Sequence, residues 1–251
     1  MPDVPATAVP PTEPAGRGLL VDQHVLVTAA AGTGIGFATA RRCAAEGARL
    51  VISDRHERRL QESAAALAEE FGDEPLAVPC DVTVQADVDR LFATAVDRLG
   101  HLDVVVNNAG LGGTAELHEM TDEQWDVVLD VTLTGTFRCT RAALAHMYER
   151  GSGVVVNNAS VLGWRAQAGQ GHYAAAKAGV MALTRSAAVE AGRRGVRVNA
   201  VAPSLAMHPF LSRTTTDELL EQLTEREAFG RAAEPWEVAN VIVFLASDLS
   251  S

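Results

Sequence analysis

Six short, Val-rich apolar runs alternate along this chain with segments of helical spacing, and this alternation constrains the fold more than any other feature. The runs are 24–29 (HVLVTA), Arg49–Ser53, Leu76–Pro79, Leu102–Val106, Val154–Asn157 and Val196–Val201. Helical spacing is read over Ile35–Glu46, from the end of the second run to about Phe71, and over Val84–Leu99, Asp122–Tyr148 and Tyr173–Ala191. Strands that are apolar throughout need cover on both faces, so the pattern predicts a parallel sheet between two helical layers. Right-handed crossovers then give a doubly wound, Rossmann-like α/β fold, whose ligands sit beyond the carboxyl ends of the strands. One domain is expected over 19–251, after an arm, 1–18, that holds five of the ten prolines and is read as disordered.

Charge and composition narrow the function. A net charge of −11 argues against a nucleic-acid partner, because phosphate backbones need a basic surface. No apolar run reaches the length of a membrane span, and no basic segment followed by an apolar one opens the chain, so a cytoplasmic protein is expected. Cys43, Cys80 and Cys139 are odd in number and far apart, which fits buried filler in a reducing compartment. The seven histidines are scattered without ligand spacing, and no metal site is expected.

The turn after the first strand reads Thr28-Ala-Ala-Ala-Gly32-Thr33-Gly34-Ile35-Gly36. Between a strand and a helix, such a turn lets a phosphate approach the backbone and meet the free N–H groups of the helix. Asp54 follows Gly36 by 18 residues at the end of the second strand, where a carboxylate grips both ribose hydroxyls and repels a 2′-phosphate. That favours NAD over NADP, although Arg55 and Arg58 lie beside it, and Asp54 serves equally as a helix cap. Asp81, with Val82 after it, is placed to meet the adenine, and Asn107-Asn108-Ala109-Gly110 leaves room for a cofactor at the end of the fourth strand.

Chemistry is expected where Ser160 closes the fifth strand and Tyr173 and Lys177 follow, one helical turn apart on one face. An ammonium beside a phenol favours the phenolate, and a phenol so tuned exchanges a proton with a carbinol. Ser160 would hold the substrate oxygen, and Lys177 would also hold the nicotinamide ribose.

Together these residues, with Val198-Asn-Ala-Val-Ala-Pro203, resemble the short-chain dehydrogenase/reductase family over about residues 20–249. The resemblance implies Tyr173 as general acid/base, Lys177 as its electrostatic partner, Ser160 as substrate-oxygen binder, and a homodimer or homotetramer. The chain departs from the family pattern at four places. Its Gly-rich turn is one residue longer, with Ala29 where a glycine is usual. Thr132 stands where an asparagine often helps position a relay water. Ser204 and His208 replace a glycine and a threonine near the sixth strand, His208 being either a loop residue or a contact to nicotinamide or substrate. The sequence stops at Ser251, before the usual seventh, edge strand.

The segments 27–36, 157–167 and 228–237 are similar to an actinobacterial subgroup associated with steroid degradation. This implies a bicyclic ring C/D remnant as substrate, a hydroxy-methyl-oxo-hydrindane or indene carboxyl-CoA thioester. Trp164 and Leu205–Arg213 would border its pocket, Trp164 being otherwise a packing residue, and Glu218–Glu227 would form a lid helix. Arg165 and Arg213 either meet CoA phosphates or are solvated surface charge. The rivals are a reductase of linear 3-oxoacyl thioesters, which would more often use NADPH, and a non-catalytic dinucleotide-binding protein.

Overall fold

A computed structural model describes residues 9–207 and 217–251. Its six parallel strands are β1 (His24–Thr28), β2 (Arg49–Asp54), β3 (Leu76–Pro79), β4 (Val104–Asn107), β5 (Gly153–Asn158) and β6 (Val196–Val201), in the order β3-β2-β1-β4-β5-β6. The helices are α1 (Ile35–Ala45), α2 (Glu57–Phe71), α3 (Gln85–Leu99), α4 (Asp122–Leu129), α5 (Gly135–Arg150), α6 (Gly171–Gly192), α7 (Asp217–Glu225) and α8 (Pro235–Ala246). The doubly wound Rossmann-like expectation holds, and β6 is the edge of the described sheet. Among the described residues no helix is long and apolar enough to cross a membrane.

Successive strand residues point to opposite faces, and each face carries its own core. Val25, Val27, Ile52, Val104, Val106 and Val156 pack under α1, α2 and α8. Leu26, Val51, Val105 and Val155, one residue out of phase, pack under α3, α5 and α6. Burying each such side chain stabilises the fold by roughly 1.5–3 kcal/mol, which is why these runs have no polar alternation. All three cysteines are buried here, and burial pushes the thiols of Cys43 and Cys80 up to about 12, as expected of filler.

Three local features differ from the expectation. The single helix read over Asp122–Tyr148 is interrupted by a π turn, Asp130–Thr134, between α4 and α5. The helix α8 went unread, although Pro235 at its first turn and a Glu234–Glu237 capping box mark its start. The expected arm is also not disordered to residue 18. Its first residues, 1–8, lie outside the described residues, but 13–19 form a strap across the end of α1. Glu13 pairs with Arg41, Arg42 donates to the carbonyls of Pro14 and Ala15, and the N–H groups of Arg17 and Leu19 donate to the Glu46 carboxylate. Gly16 lies so close that a Cβ there would stand 1.9 Å from the Ala45 oxygen. Five prolines suggested disorder, but they do not report the buried Arg42–Glu46 pair that receives the strap.

Candidate active site

The turn between β1 and α1 is shaped by backbone constraints. Ala29 adopts φ 51°, in the left-handed region that glycine usually fills, at a cost of roughly 1 kcal/mol. Gly32 sits at φ 95°, and a Cβ on Gly32 or Gly34 would meet open space. The N–H groups of Ala31 and Gly32 are already used, by the Asp54 carboxylate at 3.4 Å and the Ser63 hydroxyl at 3.1 Å. Gly34 caps α1 without a side-chain hydrogen bond, so the first-turn N–H groups at Ile35 and Gly36 face outward as anion donors, beside Thr33. This cradle, open at Gly32 and Gly34, fits a pyrophosphate.

Gly36 is required for a different reason. A Cβ there would lie 2.2 Å from the Ala29 oxygen and 2.4 Å from Asn108 Nδ2. Asn108 Nδ2 donates to the carbonyls of Thr28 and Ala29, and the Thr28 hydroxyl accepts from the N–H of Asn108. Gly36→Ala therefore pries α1 away from both strand ends. It is expected to lose most dinucleotide affinity and several degrees of melting temperature, measurable by nucleotide titration and thermal unfolding.

Asp54 closes β2, half-buried. One oxygen accepts the His56 N–H at 2.9 Å while the other faces the turn. The expected cap role falls instead to His56, which precedes α2, and Asp54 serves as a turn anchor to the His56 N–H. Arg58 is paired with Glu62 at 2.7 Å, both side chains exposed. Asp81 accepts from both the N–H and the hydroxyl of Thr83, fixing its carboxylate after β3. The Val82 side chain is packed in the core and its carbonyl accepts from Arg138, so what it offers a nucleotide is main chain.

The ends of β4 and β5 are tied by paired asparagines in register. Asn107 Nδ2 donates to Asn157 Oδ1 at 2.9 Å, and Asn158 Nδ2 donates to Asn108 Oδ1 at 2.9 Å. Thr140 on α5 and Thr184 on α6 complete this ladder. It fixes the two strand ends on which Ala109, Gly110 and Ser160 sit.

Ser160 is buried at the end of β5. Its Oγ accepts from the Leu162 N–H, and its hydroxyl holds down the pKa of the Tyr173 phenol against burial. Lys177 is 3% exposed, donates through Nζ to the Asn158 carbonyl, and lies 5.5 Å from the centre of the Tyr173 ring. A Cβ on Gly110 would stand 3.4 Å from that Nζ, so the small residue leaves the ammonium its place. Ser160, Tyr173 and Lys177 are therefore brought together. The electrostatics differ from expectation: burial pushes the phenol up, opposed by the Ser160 hydroxyl, and burial pushes Lys177 down to about 8. An ammonium beside the phenol was expected to dominate, but desolvation of both groups favours their neutral forms.

Thr132 lies in the π turn, fully buried. Its hydroxyl accepts from the Leu111 N–H at 3.0 Å and donates to the Leu111 carbonyl at 3.2 Å. It thus holds the loop after Gly110 rather than a water. That loop is clasped from the other side. Gln170 Nε2 donates to the Gly113 carbonyl at 2.7 Å, and buried His172 accepts the Tyr173 N–H at 2.9 Å. Sequence reasoning missed Gln170 and His172, whose only signal was their position beside Tyr173. Trp164 is 73% exposed on the single chain, and Arg165 beside it is exposed. Ser204 donates to Glu227. Helix α7 occupies most of the expected lid segment, whereas His208 and Arg213 lie outside the described residues.

Comparison with known proteins agrees with this geometry. The family model described as enoyl-(acyl carrier protein) reductase matches residues 29–251. The chain is 62% identical over 245 residues to a (5R,7aS)-5-hydroxy-7a-methyl-1-oxo-2,3,5,6,7,7a-hexahydro-1H-indene-carboxyl-CoA reductase of Mycobacterium tuberculosis, covering 97% of this chain and 94% of that protein. A crystal structure of a short chain dehydrogenase from Mycobacterium smegmatis superposes with a TM-score of 0.86 at 56% identity, covering 96% of this chain and 92% of that one. Levodione reductase superposes with a TM-score of 0.87 at 38% identity, covering 92% and 93%.

Proposed function

The chain belongs to the short-chain dehydrogenase/reductase family, and we propose that it interconverts a ring hydroxyl and ketone on a bicyclic, steroid-derived acyl-CoA with NAD(H). It is an oxidoreductase of CH–OH and C=O groups with a nicotinamide dinucleotide as hydride carrier. The observation that carries the proposal is the convergence of buried Ser160 and buried Lys177 with Tyr173, the Lys177 Nζ lying 5.5 Å from the centre of the Tyr173 ring. When bound, the cofactor supplies or accepts the hydride. The Ser160 hydroxyl donates to the substrate oxygen and orients it, and the Tyr173 phenol gives that oxygen its proton in reduction and takes it back in oxidation. Lys177, held at the Asn158 carbonyl, stabilises the phenolate and reaches the nicotinamide ribose. Gly32, Thr33, Gly34, Ile35 and Gly36 cradle the pyrophosphate, Asp54 takes the adenosine ribose hydroxyls, Asp81 and Val82 the adenine, and Asn108, Ala109 and Gly110 line the path to the nicotinamide.

The substrate class rests on the 62% identical relative. Exposed Trp164 suits an apolar bicycle at the mouth, and exposed Arg165 suits the CoA phosphates. A homo-oligomer belongs to the same proposal, supported by exposed Val127 and Phe137 on α4 and α5.

The test follows nicotinamide absorbance with NAD or NADP, offering a hydroxylated bicyclic acyl-CoA and a linear 3-hydroxyacyl-CoA. Turnover of the bicyclic alcohol with NAD is expected, reduced by about 10³-fold in Tyr173→Phe. Turnover of the linear substrate alone, or with NADP alone, would overturn the specificity. An unchanged rate in Tyr173→Phe would overturn the proton-transfer role.

A further inference from the structure

At the opposite, amino end of the sheet, the parallel pairing of β1 with β4 gathers residues that are scattered in sequence. One ring nitrogen each of His24 and His101 and one carboxylate oxygen of Asp103 lie within 4.8 Å of one another. The spacing of the histidines had suggested no such cluster. We propose that these three side chains form a binding site for a divalent transition metal of the zinc class.

The geometry already matches part of a coordination sphere. His101 Nε2 and Asp103 Oδ2 are 3.2 Å apart. Two ligands bound at about 2.0–2.1 Å to a tetrahedral ion stand about 3.3 Å apart, so these atoms can share one ion with little movement. Any proton on His101 Nε2 is released as the ion arrives. His24 Nδ1 is 3.1 Å from the His101 carbonyl, which can only accept. His24 therefore carries its proton on Nδ1, and its Nε2 keeps a lone pair.

The surroundings orient the ligands as metal sites require. Asp103 Oδ2 accepts the His24 N–H at 2.8 Å, and Oδ1 is held by Arg150 at 2.9 Å, leaving the carboxylate a fixed, monodentate ligand. The two imidazole rings are 4.4 Å apart, tilted by 46°. His24 is 8% exposed, so its ring is held in place by the surrounding chain. The His101 side chain is 37% exposed and gives an ion access. Arg150 opposes a cation, as does Arg49 beside His24, while His146, whose Nε2 accepts the Leu102 N–H, is withdrawn from the ion. Three protein ligands leave a fourth position for water. Binding would tie the start of β1 to the start of β4, the central pair of the sheet.

The test uses tag-free protein stripped with a chelator. Zn²⁺ is titrated at pH near neutral against a chromophoric chelator, and melting temperature is followed in parallel. Wild type should take up one equivalent and melt several degrees higher when saturated. His101→Ala, an exposed change remote from Tyr173, should weaken binding by about 10–100-fold and remove the thermal shift while turnover stays the same. His118→Ala controls for the exposed His118–Glu116–Glu119 group and should bind as wild type does. Co²⁺ should give the intense visible bands of a four-coordinate ion in wild type and lose them in His101→Ala. Equal uptake by wild type and His101→Ala, or none by wild type, would overturn the proposal.

Discussion

Lys177→Met should yield a protein more stable than wild type at neutral pH and nearly inactive. Burial pushes the Lys177 ammonium down to about 8 from an ordinary 10.5. The unfolded chain therefore binds this proton more tightly than the folded one, and stability rises with pH from about 8 to 10.5 as the mismatch is relieved. Below that window the mismatch costs the fold on the order of 3 kcal/mol. Methionine fills similar space without a charge, so the variant should unfold at a higher temperature at pH near 7. The advantage should vanish above about pH 10.5, where both proteins are neutral at this site. A variant destabilised at neutral pH would show instead that the hydrogen bond from Nζ to the Asn158 carbonyl outweighs desolvation. Turnover should fall by about 10³-fold, because Tyr173 loses the cation that stabilises its phenolate. Thermal unfolding across pH, set beside steady-state turnover, checks both halves.

The second large effect concerns Glu46. Its side chain is fully buried, and burial pushes its carboxyl up. The N–H groups of Leu19 and Arg17 and the Arg42 guanidinium together outweigh this and hold it below the usual carboxylate range. Glu46→Ala removes the acceptor while Arg42, 5% exposed, keeps its charge. The expected loss is about 3–5 kcal/mol, read from denaturant unfolding, with the 13–19 strap becoming open to proteolysis. Replacing both partners, as Arg42→Met with Glu46→Leu, should recover most of the loss, because no uncompensated charge then remains. If the single and double variants lose equal stability, the strap contacts rather than the ion pair carry the energy.

Much of this fold was legible because strand and helix periods are local properties of a sequence. Val-rich runs without polar alternation specify doubly covered strands, and the boundaries of β3 and β6 coincide with expectation. The shared face of Tyr173 and Lys177 was legible because a spacing of four on a helix fixes it. What escaped the reading depends on distant contacts. The strap needed Glu46, 27 residues from Leu19. The His24–His101–Asp103 group needed β1 to pair with β4, and the perturbed ionisation of Tyr173 and Lys177 needed their burial. The α8 helix was legible in principle, since its capping residues are adjacent in sequence.

The π turn at Asp130–Thr134 has a consequence for how this fold can change. Each residue added to or removed from a helix turns everything after it by about 100°. The wide turn acts as a phase shift between α4 and α5. It lets Thr132 face the Leu111 loop while Cys139, Ala143 and Met147 still face the sheet. Straightening the turn into a regular helix with every residue kept would rotate α5 on its axis by about 100°, turning the three core residues away from the sheet. A one-residue deletion at this point should therefore keep the α5 core in register and cost chiefly the Thr132 contact to Leu111, whereas a further insertion should turn α5 out of register.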